Sequence, residues 1–362
     1  MPYLIHTALR VTLGTVLMST VGFAADAIGE MVVVSPSNPL LHYSGRWDTQ
    51  DEQGPRCEWP AGQVRLAFEG TGANIMLDGK PGSALQIVVD GAPVGVITLR
   101  GQGVQSYPIA ANLAQGKHVV EVCKRNERNS KEPGPVQVRG IRLAPGATLR
   151  PPPEYAHKVE FLGDSITCGY GNEAPSESAP FSLALHNTWL SWGAIAARAL
   201  DAEFYCEAQS SICLMDFPER VSLPAIWDRT MPVTPSQPWD FTRWQPDAVV
   251  INLGTNDSHA QKPLQAQAWH DAYTVFITRI RAVYPQAHIF LCIGGMGHKD
   301  IPAYNATIVS EFAAKGDSKI HSVALVNRSK EDGIGLYGHP SVTTHQKMAK
   351  QIADIIRTEL HW

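Results

Sequence analysis

The chain has no basic run, no C-x-x-C pair and little charge of either sign, and each absence removes a class of function. Charged residues make up 18% of the 362 positions, and 30 Lys and Arg against 34 Asp and Glu leave a net charge of −4. Phosphate backbones and anionic lipid surfaces need a positive patch, so nucleic acid and an anionic membrane surface are set aside as partners. Six cysteines (Cys57, Cys123, Cys168, Cys206, Cys213, Cys292) stand singly, without the short spacings that hold zinc. Buried free thiols are the expectation for most of them. The N-terminal apolar run from Val11 to Ala25 is too short to cross a bilayer comfortably. With Arg10 ahead of it and Ala24, Ala25 and Ala27 at its end, it reads as a secretory signal over residues 1–25. That implies a secreted or periplasmic protein with no membrane attachment once the signal is removed.

What is present falls into two halves of different period. From residue 29 to 150 the pattern is short strands and turns, such as "QVRLAFEG", "ANIMLDG" and "KHVVEVCKRN", with an Asp90-Gly91 hairpin cue and no convincing helix. An antiparallel β-sandwich of jelly-roll type fits that pattern. A proline-rich connector, Ala144 to His157, marks the boundary. Over residues 151–362 strands and helices alternate. "HKVEFLGD", "AEFYCEAQ", "PDAVVINLG", "AHIFLCIGG" and "KIHSVALVN" are the strands. Helical spacing runs through Asn187–Leu200, "AWHDAYTVFITRIRAVY" and Ser341–Glu359, the last presenting Val342, Met348, Ile352 and Ile355 on one face. Alternation of this kind predicts an α/β domain with a parallel sheet sandwiched by helices.

The polar punctuation follows the strands. "GDS" comes after the first strand of this half, "SSICL" after the second, "GTND" after the third and "GHP" after the last. Ligands of open parallel sheets bind beyond the carboxyl ends of the strands, so all four segments point to one edge. The residue types suit acyl transfer. Ser165 supplies a hydroxyl nucleophile and His339 the base it requires. Asn256 and backbone N–H groups at the turns can donate to an oxyanion. Asn256 could equally organise its own turn, and Ser165 could serve only as a helix cap. The arrival of three polar segments at one edge favours the chemical roles.

These segments, with "SGRWD" (Ser44 to Asp48), "CKRNE" (Cys123 to Glu127) and "PWDFTRWQPD" (Pro238 to Asp247), resemble carbohydrate esterase family two of the SGNH/GDSL hydrolase superfamily. The resemblance implies a jelly roll joined to an SGNH domain with a flavodoxin-like sheet. It implies Ser165 as nucleophile and His339 as general base and acid. Asn256, Ser211 and the Ser165 N–H would form the oxyanion hole, with Asp164 and Asp257 organising the loops. It also implies removal of O-acetyl groups from plant polysaccharides such as xylan or glucomannan, with no metal and no cofactor. The sequence departs from the pattern in two segments. Tyr337 and Leu336 occupy the places where an aspartate usually precedes the catalytic histidine, so the imidazole must be held by main chain, with Asp332 an outside candidate. Ser211 and Cys213 stand where glycine is usual, which matters if the turn needs a positive φ. Trp239, in the proline-rich segment Ser222–Trp244, is expected to line the acyl or sugar site. The alternatives are a glycan-binding protein with weakened catalysis and an SGNH lipase or thioesterase with a different acyl substrate.

Overall fold

The computed structural model describes residues 30–101, 103–127 and 134–362. The signal-like stretch 1–25 lies outside them. Eleven strands form the N-terminal half: β1 (Val32–Val34), β2 (His42–Ser44), β3 (Arg56–Cys57), β4 (Gln63–Gly70), β5 (Ala73–Gly79), β6 (Ala84–Val89), β7 (Ala92–Thr98), β8 (Gln105–Ala110), β9 (Gly116–Lys124), β10 (Val136–Leu143) and β11 (Thr148–Arg150). One antiparallel sheet orders them β1-β10-β5-β8, the other β11-β4-β9-β6-β7, with β3 and β2 as side branches. Alternating side chains of both sheets, among them Ile75, Leu77, Val138, Leu66, Phe68 and Val120, meet in one core.

The C-terminal half is a five-stranded parallel sheet of β12 (His157–Gly163), β13 (Ala202–Ala208), β14 (Ala248–Asn252), β15 (His288–Gly295) and β16 (Ile320–Asn327). Its order is β13-β12-β14-β15-β16, the flavodoxin-like arrangement. Both faces are covered, which is why β12, β14 and β15 read as apolar runs rather than alternating ones. On one face α2 (Trp192–Ala199) and α6 (Val342–Leu360) pack Trp192, Met348 and Ile352 against Phe161. On the other, α4 (Ala266–Val283) and α5 (Ile301–Ala314) bring Trp269, Phe276 and Ile308 onto Leu162 and Ile251. Two further helices, α1 (Ser165–Cys168) and α3 (Thr255–Ala260), are short turns at the sheet's carboxyl edge.

Three helical expectations change. The segment from Asn187 is not one helix: a 3-10 turn at Thr188–Leu190, capped by Asn187, ends at Ser191, and α2 starts afresh at Trp192. The break has a cause, since the Trp192 N–H donates to His345 Nδ1 at 3.1 Å on α6. The buried face of α6 is Met348, Ile352 and Ile356, while Val342 and Ile355 are only half-buried. Helix α5 was absent from the sequence reading, although Pro302 in its first turn marks a start.

The two halves share a polar seam. Strand β13 is buried along its whole length, its carboxylates included, because the sandwich covers it. Arg46 enters fully buried between the carboxyls of Glu160 (2.7 Å) and Glu207 (3.2 Å). The proline-rich segment wraps its guanidinium, which lies 5.4 Å from the Trp239 ring and 5.2 Å from that of Phe241. Burial and the charge of Glu160 hold the Glu207 carboxyl well above the usual carboxylate range, against the pull of Arg46. All six cysteines are free and buried.

Candidate active site

Parallel pairing puts the ends of three strands level. Gly163 pairs with Ala208 on one side and Asn252 on the other, so the residues that follow each strand emerge side by side. After β12 the chain turns at once into α1. Asp164 caps this turn by accepting the Ile166 N–H at 2.9 Å, and Ser165 is its first residue. Gly163 is required there: a Cβ would sit 2.1 Å from Thr167 Oγ1.

From the far end of the domain, His339 brings its ring to the same place, with Nε2 2.8 Å from Ser165 Oγ. Its Nδ1 lies 2.9 Å from the carbonyl of Leu336. A carbonyl only accepts, so Nδ1 carries the proton and Nε2 is left to receive the serine's. Leu336 reaches its position through Gly171, which has φ +59° and would place a Cβ 2.3 Å from that of Leu336. The Leu336 N–H closes the contact by donating to the Gly171 carbonyl at 3.0 Å. The segment after Ser165 thus holds the segment before His339. Burial pushes the His339 imidazole down to about 4, with the nearby Arg328 charge adding to the effect and the Leu336 carbonyl opposing it. Asp332 takes no part, because its carboxylate pairs with Lys347 at 2.5 Å. Tyr337 is 60% exposed at the pocket rim.

The loop after β13 completes the site. Asp257 on α3 accepts the Leu214 and Met215 N–H groups at 3.0 and 2.8 Å. Asn256 Nδ2 donates to the Ile212 carbonyl at 2.9 Å and, weakly, to Asp164 Oδ2 at 3.3 Å. Neither the Ser165 nor the Ser211 N–H donates to a described protein acceptor, and both residues line the pocket. Asp164, beneath them, is pushed up to about 7, by burial first and by the charges of Asp257 and Glu127 in addition.

Ser211 has φ +67°, the left-handed conformation that glycine adopts freely. Holding a residue with a Cβ there costs about 1–2 kcal/mol. Ser211→Gly is therefore expected to raise the thermal midpoint by about 2 °C; an unchanged or lower midpoint in a melting scan contradicts the strain.

The pocket has a volume of about 540 Å³. Besides Ser165, Ser211, Asn256 and His339 it is lined by Tyr337, which the sequence placed just before the histidine, and by Tyr170, Arg220 and His259, to which the sequence gave no role. Tyr170 had a signal, lying in the "GYGN" that follows the nucleophile, and its ring stands 4.7 Å from that of His339. Trp239 is a correction. It does not line the pocket; it is 5% exposed, edge-on to Tyr205 and over Arg46, in the seam between the halves. Trp227 and Trp244 are buried in the same segment. Among the described residues no cluster of His, Cys, Asp or Glu is arranged to hold a metal ion.

A serine on a one-turn helix, a histidine within hydrogen-bond reach and free N–H groups at the carboxyl edge of such a sheet define a serine ester hydrolase. The chain matches the description of a carbohydrate esterase 2 N-terminal domain over residues 43–153 and of the GDSL-like lipase/acylhydrolase family over residues 161–347. It is 34% identical to a family two carbohydrate esterase from Clostridium thermocellum, solved in complex with cellohexaose, covering 89% of this chain and 99% of that one at a TM-score of 0.82. The chain belongs to carbohydrate esterase family two. It is 35% identical, over 90% of its length, to cellulase/esterase CelE of Acetivibrio thermocellus, of which it spans 40%. An acetylxylan esterase/glucomannan deacetylase of Cellvibrio japonicus is 26% identical over 95% of both chains.

Proposed function

We propose that the protein is an exported esterase that removes O-acetyl groups from a plant polysaccharide, xylan or glucomannan, through an acyl-enzyme formed on Ser165. The observation that carries this reading is the 2.8 Å approach of Ser165 Oγ to an imidazole whose other nitrogen is held by the Leu336 carbonyl. Ser165 attacks the acetyl carbonyl while His339 Nε2 takes its proton. The tetrahedral oxyanion receives the N–H groups of Ser165 and Ser211 and one N–H of Asn256. His339 then protonates the departing sugar oxygen. Water, deprotonated by the same ring, adds to the acetyl-serine and releases acetate. The names of the relatives support the polysaccharide, and the signal-like residues 1–25 support export.

Acetate release from acetylated xylan and acetylated glucomannan tests the substrate, with covalent labelling of Ser165 by a fluorophosphonate as the check on the nucleophile. No acetate from either polymer, with the serine labelled, moves the substrate to another ester. No labelling removes the nucleophile and leaves a glycan-binding role, which the cellohexaose complex of the relative favours.

The acid limb of the pH profile follows from His339. The base works only when neutral, and burial disfavours its protonation, so activity persists below the ordinary histidine range. For an aryl acetate, kcat/KM is expected to stay flat through pH 6.5 and to fall with a midpoint near 4. A midpoint near 6.5 would mean that the imidazole is solvated as an ordinary one.

A further inference from the structure

Lys124, the last residue of β9, and Arg125–Glu127 just past it belong to the sandwich but lie buried against the catalytic half. They form a stiff arm. Asn126 Nδ2 donates to the Gly82 carbonyl at 2.9 Å, the Arg125 N–H donates to the Ala84 carbonyl at 2.8 Å, and the Lys124 ammonium donates to the Asn126 carbonyl. On the catalytic side, the Arg125 carbonyl accepts both the N–H and the hydroxyl of Thr188, at 2.8 and 2.7 Å. That hydroxyl also lies 2.7 Å from the carbonyl of Cys168, the last residue of the nucleophile's own turn. At the tip of the arm Glu127 is 1% exposed. Both oxygens of its carboxyl are used by one residue: Ser210 donates its N–H to Oε2 and its hydroxyl to Oε1. The thiol of Cys168 also stands within hydrogen-bonding reach of the carboxyl.

Ser210 immediately precedes Ser211. Its N–H is spent on Glu127, whereas the next N–H along the chain donates to no acceptor among the described residues. Adjacent amides in a turn have a fixed relation, so anchoring the first at two points aims the second. We propose that Glu127 is a positioning residue: the sandwich domain sets the oxyanion site of the other domain by clamping Ser210, which fixes the Ser211 N–H relative to Ser165. This rests on the acyl-enzyme reading above. Asp257 holds the other end of the same loop through Leu214 and Met215. The loop is thus anchored at both ends, once by its own domain and once by its neighbour. On this account the sandwich takes part in turnover without touching the substrate.

The test uses the full chain and 4-nitrophenyl acetate, which needs no glycan contact. A fluorophosphonate taken to completion counts the competent serines, so kcat is expressed per titrated site and a partly unfolded variant does not confuse the result. Loss of one oxyanion donor is worth about 10²–10³ in turnover, and misaiming one is worth part of that. Glu127→Ala is expected to lower kcat per site about 10²-fold, with KM within about twofold of wild type. Glu127→Gln, which keeps the shape and one acceptor, should recover about tenfold of that loss. Inhibition by phenylboronic acid, which forms a tetrahedral anion on the serine, should weaken by the same factor as kcat. Ser210→Ala removes one of the two bonds to the carboxyl, and its effect should not add to that of Glu127→Ala.

Wild-type kcat per site and boronate affinity in Glu127→Ala, whatever the fraction of competent serines, overturn the inference. If Ser165→Ala is inactive in the same series, the acyl-enzyme reading stands and only this inference falls. If Ser165→Ala still turns over the ester, the acyl-enzyme reading fails and takes the inference with it.

Discussion

Ser165→Ala is expected to lower ester turnover by about 10⁴–10⁶-fold, and His339→Ala by a similar factor. The two effects should not add, because nucleophile and base act as one unit: without the hydroxyl the imidazole has nothing to deprotonate. The upper figure belongs to sites in which a carboxylate supports the histidine. Loss of such a carboxylate costs about 10⁴ in the serine proteases, largely through the wrong tautomer. Here the tautomer is set by the Leu336 carbonyl at 2.9 Å, so that part of the catalysis is kept. What a neutral carbonyl does not supply is charge to offset the imidazolium formed during attack. The residue left in Ser165→Ala should be the background due to binding and oxyanion donors alone. Steady-state kinetics on an aryl acetate decides it: turnover within tenfold of wild type in either variant would mean that another group carries the reaction.

The second large effect lies in stability. Arg46 is fully buried, hydrogen-bonded to Glu160 and to the backbone carbonyl of Arg229 at 3.2 Å, with a Glu207 carboxyl oxygen 3.2 Å from its Nε. Removing one partner of a buried ion pair leaves the other charge without compensation, at a cost of about 3–5 kcal/mol. Arg46→Ala is therefore expected to lower the urea midpoint strongly, with the loss falling on the seam that joins the two halves. The burden should come from the stranded carboxylate rather than from the missing attraction. Arg46→Met combined with Glu160→Gln should accordingly be clearly more stable than Arg46→Met alone. Equal midpoints for those two variants would refute that account, and a wild-type midpoint in Arg46→Ala would refute the clamp.

Much of the site was legible because chemistry-bearing residues follow apolar strands directly. "FLGDS" and "INLGTND" place Ser165 two and Asn256 four residues beyond the ends of their strands, and parallel register aligns those ends in space. The positive φ of Ser211 was likewise foreseeable from the glycine that is usual there. Trp239 was misread because aromatic content says nothing about direction. Three tryptophans in one irregular segment suit a sugar platform, yet a buried guanidinium in the other domain needed a cover, and the rings supply it. Glu127 carried no signal of its role either. Its partners are the N–H and the hydroxyl of Ser210, 83 positions away in the other domain, and nothing in the local sequence pairs two residues at that separation. Helix α5 escaped for a simpler reason: only Ile301, Asn305 and Ile308 of its 14 residues are buried, so its apolar stripe is narrow.

The group that orients the His339 imidazole is written into no side chain. Every amino acid placed at position 336 still brings a carbonyl to the polymer, so no side-chain exchange there deletes the acceptor itself. Only edits that reroute the path of the backbone, at Gly171 for instance, would reveal that anything stands behind the histidine.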